Sequence, residues 1–203
     1  MIVKYCTVGG YATNCYLLGD EEAKVCALID PGDDAPQVEA MLAQSGLELK
    51  AIFLTHGHSD HTGAVEALVK DHPGTPVYLH KADDVDDPAN FGRLPAGILR
   101  FYDDGDTLAV GGLEVAVLHT PGHSKGSVTL QVGDVLFTGD TLFAGSMGRT
   151  DFTGGSYPEI MASLARLGAL EGDFHVCPGH MGLSTLEKER GSNYYLREAM
   201  GRA

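Results

Sequence analysis

The sequence predicts an α+β chain in which two β-sheets pack face to face with helices outside them. Three observations carry that expectation. The elements run as strands, then helix–strand alternation, then strands again, then a helix and a last strand, an order that leaves two sheets to bury against each other. Several apolar strand segments end in a glycine-containing turn that is followed at once by histidine or aspartate. At 203 residues and 43% hydrophobic content, the chain is long and apolar enough for one domain, residues 1–203, with a sizeable core.

Taken in order, Met1–Val8, Asn14–Leu18 and Val25–Ile29 read as short strands, punctuated by Gly9-Gly10 and Gly19-Asp20. The turn at Asp30-Pro31-Gly32 stops the third strand, and Ala35–Gln44 is a helix closed by Ser45-Gly46. Ala51–Leu54 is a strand. Thr62–Val69 has apolar residues at helical spacing and ends near His72-Pro73-Gly74. Pro76–His80 reads as another buried strand. The stretch Lys81–Pro95 holds Asp83, Asp84, Asp86 and Asp87 without any period, and connections of that length are often binding loops or lids. From Phe101 the character turns to β: Asp106–Val110, Leu113–Leu118, Ser127–Val132 and Val135–Phe137, with hairpin turns at Gly111-Gly112 and Gly133-Asp134. Tyr157–Leu167 is an amphipathic helix, Phe174–Cys177 a strand, and Leu186–Met200 a final helix.

Charge and composition narrow the partners. A net charge of −14 repels phosphate backbones, so no nucleic-acid partner is expected, and the acidity is read as solubility. No apolar run approaches the ~20 residues of a membrane span, and the first residues lack the features of a signal peptide. Cys6, Cys15, Cys26 and Cys177 form no Cys-x-x-Cys pair, which fits reduced thiols in a cytoplasmic protein.

The chemistry concentrates in Thr55–His61, with three imidazoles and one carboxylate directly after an apolar strand. Side chains alternate in extended backbone, so His56 and His58 share a side, while Asp60 and His61 fall where the chain turns into a helix. Such a cluster suits two adjacent cations, and borderline metals such as zinc or iron take imidazole nitrogen together with carboxylate oxygen. His123, Asp140 and His180 each follow an apolar strand and a glycine turn that aims them back over the strand's end. The Pro-Gly pairs read as type II turns with glycine at positive φ. The candidate ligands are therefore His56, His58, Asp60, His61, His123, Asp140 and His180. His72, His80, His119 and His175 are given ordinary roles. Asp30 is the candidate carboxylate behind a ligand, because metal-binding histidines usually hydrogen-bond one. Arg149 and Asp151 are expected to pair and fix the glycine-rich loop Gly145–Asp151.

Thr55–His61, Pro121-Gly122-His123, Thr138-Gly139-Asp140 and Pro178-Gly179-His180 together resemble the ligand set of the metallo-β-lactamase superfamily. The resemblance covers nearly the whole chain and extends to Asp30-Pro31-Gly32 and Asn14-Cys15-Tyr16. Gly148–Asp151 and Gly182–Thr185 make it similar to the short glyoxalase II-like hydrolases within that superfamily. The resemblance implies a four-layer αββα sandwich, the metallo-β-lactamase fold. It implies one metal on His56, His58 and His123, a second on Asp60, His61 and His180, and Asp140 between them. Zinc is the first expectation, with iron or manganese as alternatives. The implied reaction is attack of a metal-bridging hydroxide on a small-molecule thioester, with Asp60 as the catalytic residue that orients it and manages the proton.

The chain departs from classical glyoxalase II enzymes, whose helical C-terminal domain clamps the glutathione carboxylates with basic residues. Only one helix's length follows His180 here, with Lys188, Arg190, Arg197 and Arg202 interleaved with Glu187, Glu189 and Glu198, and it is read as a solvated face. Thioester hydrolysis is thus expected without a named substrate. The alternative is a mononuclear Fe(II) persulfide dioxygenase, a relative sharing Gly148–Phe152, with iron on His56, His123 and Asp140. Such enzymes typically carry alanine where Gly179 stands. The resemblance to β-lactamases is weaker at Asp140, and the chain lacks the added domains of RNA-processing relatives.

Overall fold

The computed structural model describes residues 1–83 and 94–202. Strands β1 (Ile2–Val8), β2 (Thr13–Asp20) and β3 (Val25–Ile29) form in short stretches rich in apolar and β-branched residues. Both faces of β2 are covered, so all of its residues are buried. Cys15 and Leu17 enter one core while Tyr16 and Leu18 enter another, as the two-residue period of a strand requires. Helix α1 (Ala35–Ser45) starts with proline in its first turn and stops at Gly46, whose φ of 67° suits glycine. Then come β4 (Glu48–Phe53), α2 (Ser59–Thr62), α3 (Val65–Asp71), β5 (Val77–His80), a 3₁₀ turn at Lys81–Asp83 and β6 (Leu99–Tyr102).

The remainder comprises β7 (Thr107–Val110), β8 (Leu113–His119), β9 (Val128–Val132), β10 (Val135–Gly139), a two-residue hairpin of β11 (Leu142–Phe143) and β12 (Ser146–Met147), then α4 (Tyr157–Gly168), β13 (His175–Pro178), β14 (Ser184–Thr185), α5 (Leu186–Ser192) and α6 (Tyr194–Ala199). The first sheet runs β1-β2-β3-β4-β5-β6 and the second β14-β13-β10-β9-β8-β7. Strands β3 to β6 are parallel neighbours. Their connections must therefore cross over, and α1 and α3 lie on two of them.

Three cores separate four layers. Val38 and Leu42 of α1 and Leu68 of α3 pack on Leu17, Leu28 and Ile52 of the first sheet. Between the sheets, Tyr16, Ile29 and Phe53 meet Val117, Leu130 and Phe137, and the Tyr16 and Phe137 rings lie edge to face at 5.3 Å. Outside the second sheet, Leu136 and Val176 are covered by Leu164, Leu167, Leu186 and Leu196. This is the αββα sandwich, in the metallo-β-lactamase arrangement expected from the sequence. Among the described residues all four cysteines are free, and no helix is long and apolar enough to cross a membrane.

The structure departs from the sequence reading in several elements, among them the short strands β11, β12 and β14, which that reading does not contain. The helix expected over Thr62–Val69 is two helices, because the amides of Gly63 and Ala64 are donated to the carbonyls of Gly32 and Pro31 at 2.9 and 3.0 Å. Strand β6 was not expected; only Tyr102 of its four residues is buried, so it shows no alternation to read. The stretch Lys81–Pro95, read as a loop or short helix, begins as a 3₁₀ turn, and its residues 84–93 lie outside the described residues. The final helix breaks at Asn193, which leaves helical geometry at ψ 116°.

That break is caused by one buried amide. Asn193 Oδ1 accepts from the amides of Tyr195 and Leu196, capping α6, while Nδ2 donates to the carbonyls of Phe143 and Ser146 and to Glu189 Oε2. Asn193→Ala should lower stability by about 2–4 kcal/mol in urea unfolding, roughly 1 kcal/mol from the lost cap and the rest from buried acceptors left without a donor. A loss under about 0.5 kcal/mol would show that the break does not depend on this side chain.

Candidate metal centre

Each candidate ligand leaves the end of a strand on the same edge of the sandwich. His56 and His58 lie between β4 and α2, and Asp60 and His61 occupy the single turn of α2. His123 follows β8, Asp140 follows β10 directly, and His180 follows β13. The structure brings all seven together. Their ligand-type atoms form three groups in which the atoms lie within 4.8 Å of one another: His56, His58 and His123; His56, His61 and Asp140; Asp60, His61 and His180. His58 Nδ1 is 2.9 Å from His123 Nε2, and His61 Nε2 is 3.3 Å from His180 Nε2. Asp140 faces both sides, with Oδ1 3.4 Å from His61 Nε2 and Oδ2 3.4 Å from His123 Nε2.

Four of the five imidazoles are turned inward by what holds their Nδ1 atoms. His61 Nδ1 donates to Asp30 Oδ2 at 3.0 Å, His123 Nδ1 to the Arg149 carbonyl at 2.7 Å, and His180 Nδ1 to the Tyr11 carbonyl at 3.1 Å. His56 is held through a relay. The Thr55 hydroxyl gives its proton to Asp30 Oδ2 at 2.6 Å, so it can only accept from His56 Nδ1, at 3.2 Å. In these four rings Nδ1 is held outside the cluster, which leaves Nε2 facing in as the atom available to a metal.

Burial makes those lone pairs expensive unless something takes them. His56 Nε2 and Asp140 Oδ1 are buried and have no hydrogen-bond partner among the described residues. Burial, then the neighbouring imidazoles, pushes the His56 pKa well down. Burial likewise lowers that of His58, with His123 adding to it. On the other side burial is outweighed: Asp140 and Asp30 raise His61 well above the usual histidine range, and Asp60 raises His180. Burial opposes ionisation of Asp60, but His180 and His61 bring its pKa down to about 2. Imidazole nitrogens and carboxylate oxygens converging at this spacing, two of them orphaned, fit divalent metal ions, whose binding would displace the protons.

The glycines beside the ligands serve close approach more than turn geometry. Of the three Pro-Gly pairs at the site, only Gly122 has positive φ, at 132°, so the type II expectation fails for Gly32 and Gly179. A Cβ on Gly179 would lie 2.3 Å from Asp140 Oδ1 and 2.6 Å from His61 Cε1. A Cβ on Gly32 would lie 1.7 Å from the Asp60 carbonyl oxygen. The absence of a side chain is what lets the ligand loops meet.

One supporting residue escaped the sequence reading. Asp83 lies in the acidic stretch taken for a lid, yet it is buried and accepts from Gly57 N at 3.0 Å, Ser124 Oγ at 2.6 Å and Gly126 N at 2.6 Å. It ties the His56–His58 loop to the His123 loop. Nothing in the sequence separates it from the three aspartates after it. Arg149 and Asp151 do pair, at 2.6 Å, and Arg149 stacks over Phe152, but both charged side chains are exposed. What reaches the cluster from Arg149 is its carbonyl oxygen. Among the other histidines, His72 meets Glu39, His80 meets Asp103 and stacks on His119, and His175 is exposed. A cleft of about 870 Å³ opens over the cluster, with Tyr11, Phe143, Met147, Phe152 and Met181 as its apolar lining and Lys125 among its polar groups.

Asp83 and the Arg149–Asp151 pair should separate cleanly in denaturant. Asp83→Ala strands three buried donors and should lose at least about 2 kcal/mol, whereas Arg149→Ala should leave the unfolding midpoint nearly unchanged, as exposed ion pairs do. Equal losses in both would contradict this division.

Comparison with known proteins agrees with the geometry. Residues 8–180 match the family model of the metallo-beta-lactamase superfamily. The hydroxyacylglutathione hydrolase GloC of Haemophilus influenzae is 33% identical over 213 residues, spanning 97% of this chain and 98% of that protein. Among solved structures, BLEG-1 B3 metallo-beta-lactamase superposes with a TM-score of 0.86 at 36% identity, covering 96% of this chain and 99% of its own. The protein TTHA1623 in a di-iron-bound form gives 0.80 at 37%, covering 95% and 99%. ETHE1 from Myxococcus xanthus gives 0.80 at 32%, covering 96% and 84%. With its fold, its converging strand ends and these likenesses in agreement, the chain belongs to the metallo-beta-lactamase superfamily.

Proposed function

We propose that the protein is a dinuclear metal-dependent hydrolase of small-molecule thioesters, of glyoxalase II type. The observation that carries the reading is the inward-facing set of nitrogens, with His56 Nε2 and Asp140 Oδ1 buried and unpartnered. His56, His58 and His123 would hold one ion, Asp60, His61 and His180 the other, and Asp140 would reach both. Zinc is the first candidate, and iron or manganese also suits these donors. Two such ions supply hydroxide at neutral pH and a Lewis acid for a carbonyl oxygen.

The chain's own residues supply the rest. Asp60, only partly covered, stays ionised at neutral pH and can orient a nucleophilic water and take its proton. Phe143 and Phe152 flank the ligands, close to His180 and His58 respectively, and would give an acyl group an apolar surface to lie against. A thiolate leaves readily, so no strong general acid is needed behind it. Likeness to the GloC hydrolase over nearly the full length of both chains supports the thioester class. The acidity of the chain supports a small molecule over a nucleic acid.

A second reading has its own support, the 32% identity to ETHE1, and would make the protein a mononuclear Fe(II) persulfide dioxygenase. Gly179 weighs against it. With no Cβ there, the His180 loop can lie against Asp140 and His61, which supports a second set of ligands.

Zinc-loaded protein should cleave an acylglutathione or acyl-coenzyme A thioester and leave a chromogenic cephalosporin nearly untouched. Rapid oxygen uptake with glutathione persulfide after Fe(II) loading, with no thioester cleavage, would replace the hydrolase by the dioxygenase. Gly179→Ala should bind about one ion where the parent binds two and lose about 10²-fold or more in turnover. Two ions and full turnover in that variant would remove the argument from Gly179.

A further inference from the structure

We infer that Asn14 is the positioning residue for the second ion's histidine, holding the His180 loop in place from the opposite sheet. The inference rests on the dinuclear reading above. His180 is the last ligand in the chain, and its loop is gripped by the turn and first residues of a hairpin near the N-terminus, β1–β2. The Asn14 amide Nδ2 donates to the Pro178 carbonyl at 3.1 Å and to the Met181 carbonyl at 2.9 Å. Its backbone amide donates to the Gly179 carbonyl at 2.7 Å. Three of the four residues from Pro178 to Met181 thus have their carbonyls taken by one residue. The fourth, His180, is held through its ring by the Tyr11 carbonyl from the same hairpin.

Two further facts show why such a hold is required. Met181 lies at φ 68°, a left-handed conformation that a side chain of its kind seldom adopts unless the surroundings impose it. The loop also carries Gly179 within contact of Asp140 and His61, so a shift of about 1 Å would move His180 Nε2 from its place 3.3 Å from Asp60 Oδ2. Asn14 is buried, and its Oδ1 accepts from the Thr7 hydroxyl at 3.2 Å, which orients the amide so that both N–H groups face the loop. Only a planar group with two donors and one acceptor meets all these partners; a carboxylate of the same shape presents oxygen to two carbonyls. The other ion's candidate ligands, His56, His58 and His123, share no hydrogen bond with Asn14, and their loops are braced by Asp83 and Thr55.

The test is metal binding by competition with a chromophoric chelator, using zinc on the full chain, for the parent, Asn14→Asp, Asn14→Ala and Asp83→Ala. Far-ultraviolet circular dichroism and a melting curve accompany each. We expect the parent to bind two ions. Both Asn14 variants should bind one as tightly as the parent does and the other about 10- to 100-fold more weakly, the range seen when groups behind a ligand are removed. Asp83→Ala should instead weaken the ion that the Asn14 variants spare. If the parent binds two ions and the Asn14 variants keep both affinities, or lose both together while Asp83→Ala behaves the same way, the positioning role is wrong. If the parent itself binds fewer than two, the dinuclear reading fails first and takes the inference with it. Should Asn14→Ala fail to fold, Tyr16→Phe, which removes a separate 2.7 Å bond to the Pro178 carbonyl, replaces it with the same expected direction.

Discussion

The carboxylate of Asp30 is the interaction on which the rest of the site depends. It ends β3 at a φ of 52°, almost wholly buried, and collects three donors: the Thr55 amide at 2.7 Å, the Thr55 hydroxyl at 2.6 Å and His61 Nδ1 at 3.0 Å. One side chain thereby ties the end of the third strand to the end of the fourth and to α2. It also chooses the protonated nitrogen of two rings, His61 directly and His56 through the threonine. A buried carboxylate is tolerable only when its oxygens are satisfied in this way. The satisfaction here comes from the groups whose orientation matters.

Much of this was legible in the sequence because ligand chemistry leaves few alternatives. Histidine and aspartate placed directly after apolar strands announce themselves, and the seven candidates meet at one edge of the sandwich. Most of the strand and helix order is readable too, because apolar runs bounded by glycine turns mark the strands, while β6 and the two helix breaks carry no such mark. What was not legible works through the backbone or across the fold. The Tyr11 and Arg149 carbonyls that orient His180 and His123 are present in every residue and leave no mark in a sequence. Asp83 is one aspartate in an acidic run, and only folding shows that it is buried between two ligand loops. Gly63 and Asn193 break helices whose periodicity continues past them, the first because its amide goes to a distant carbonyl and the second because its side chain caps the next helix and donates to distant carbonyls. The Pro-Gly pairs were found for the wrong reason, as turns, when Gly32 and Gly179 are needed for closeness.

The C-terminal residues bear on substrate range in a similar way. The sequence suggested a solvated charged face after His180. Arg190 is instead largely covered and donates to the carbonyls of Gly168, Leu170 and Gly172, closing the end of α4. Glu189, also buried, accepts from Gly145 N and Ser184 Oγ and so fixes the hairpin that contributes Phe143 and Met147 to the cleft. These charges are spent on shaping the wall of the cleft. The cleft itself is lined by apolar side chains together with Lys125 and Arg149.

The proposed hydrolase requires one carboxylate between two ions at the edge where the sheets' strands end. Diffraction from zinc-soaked crystals, collected on both sides of the zinc absorption edge, measures it directly. Two anomalous peaks about 3.5–4 Å apart, with Asp140 between them, His56, His58 and His123 around one and Asp60, His61 and His180 around the other, is the predicted result. A single peak on the three-histidine side, with His61 still hydrogen-bonded to Asp30 and no density beside His180, would contradict it.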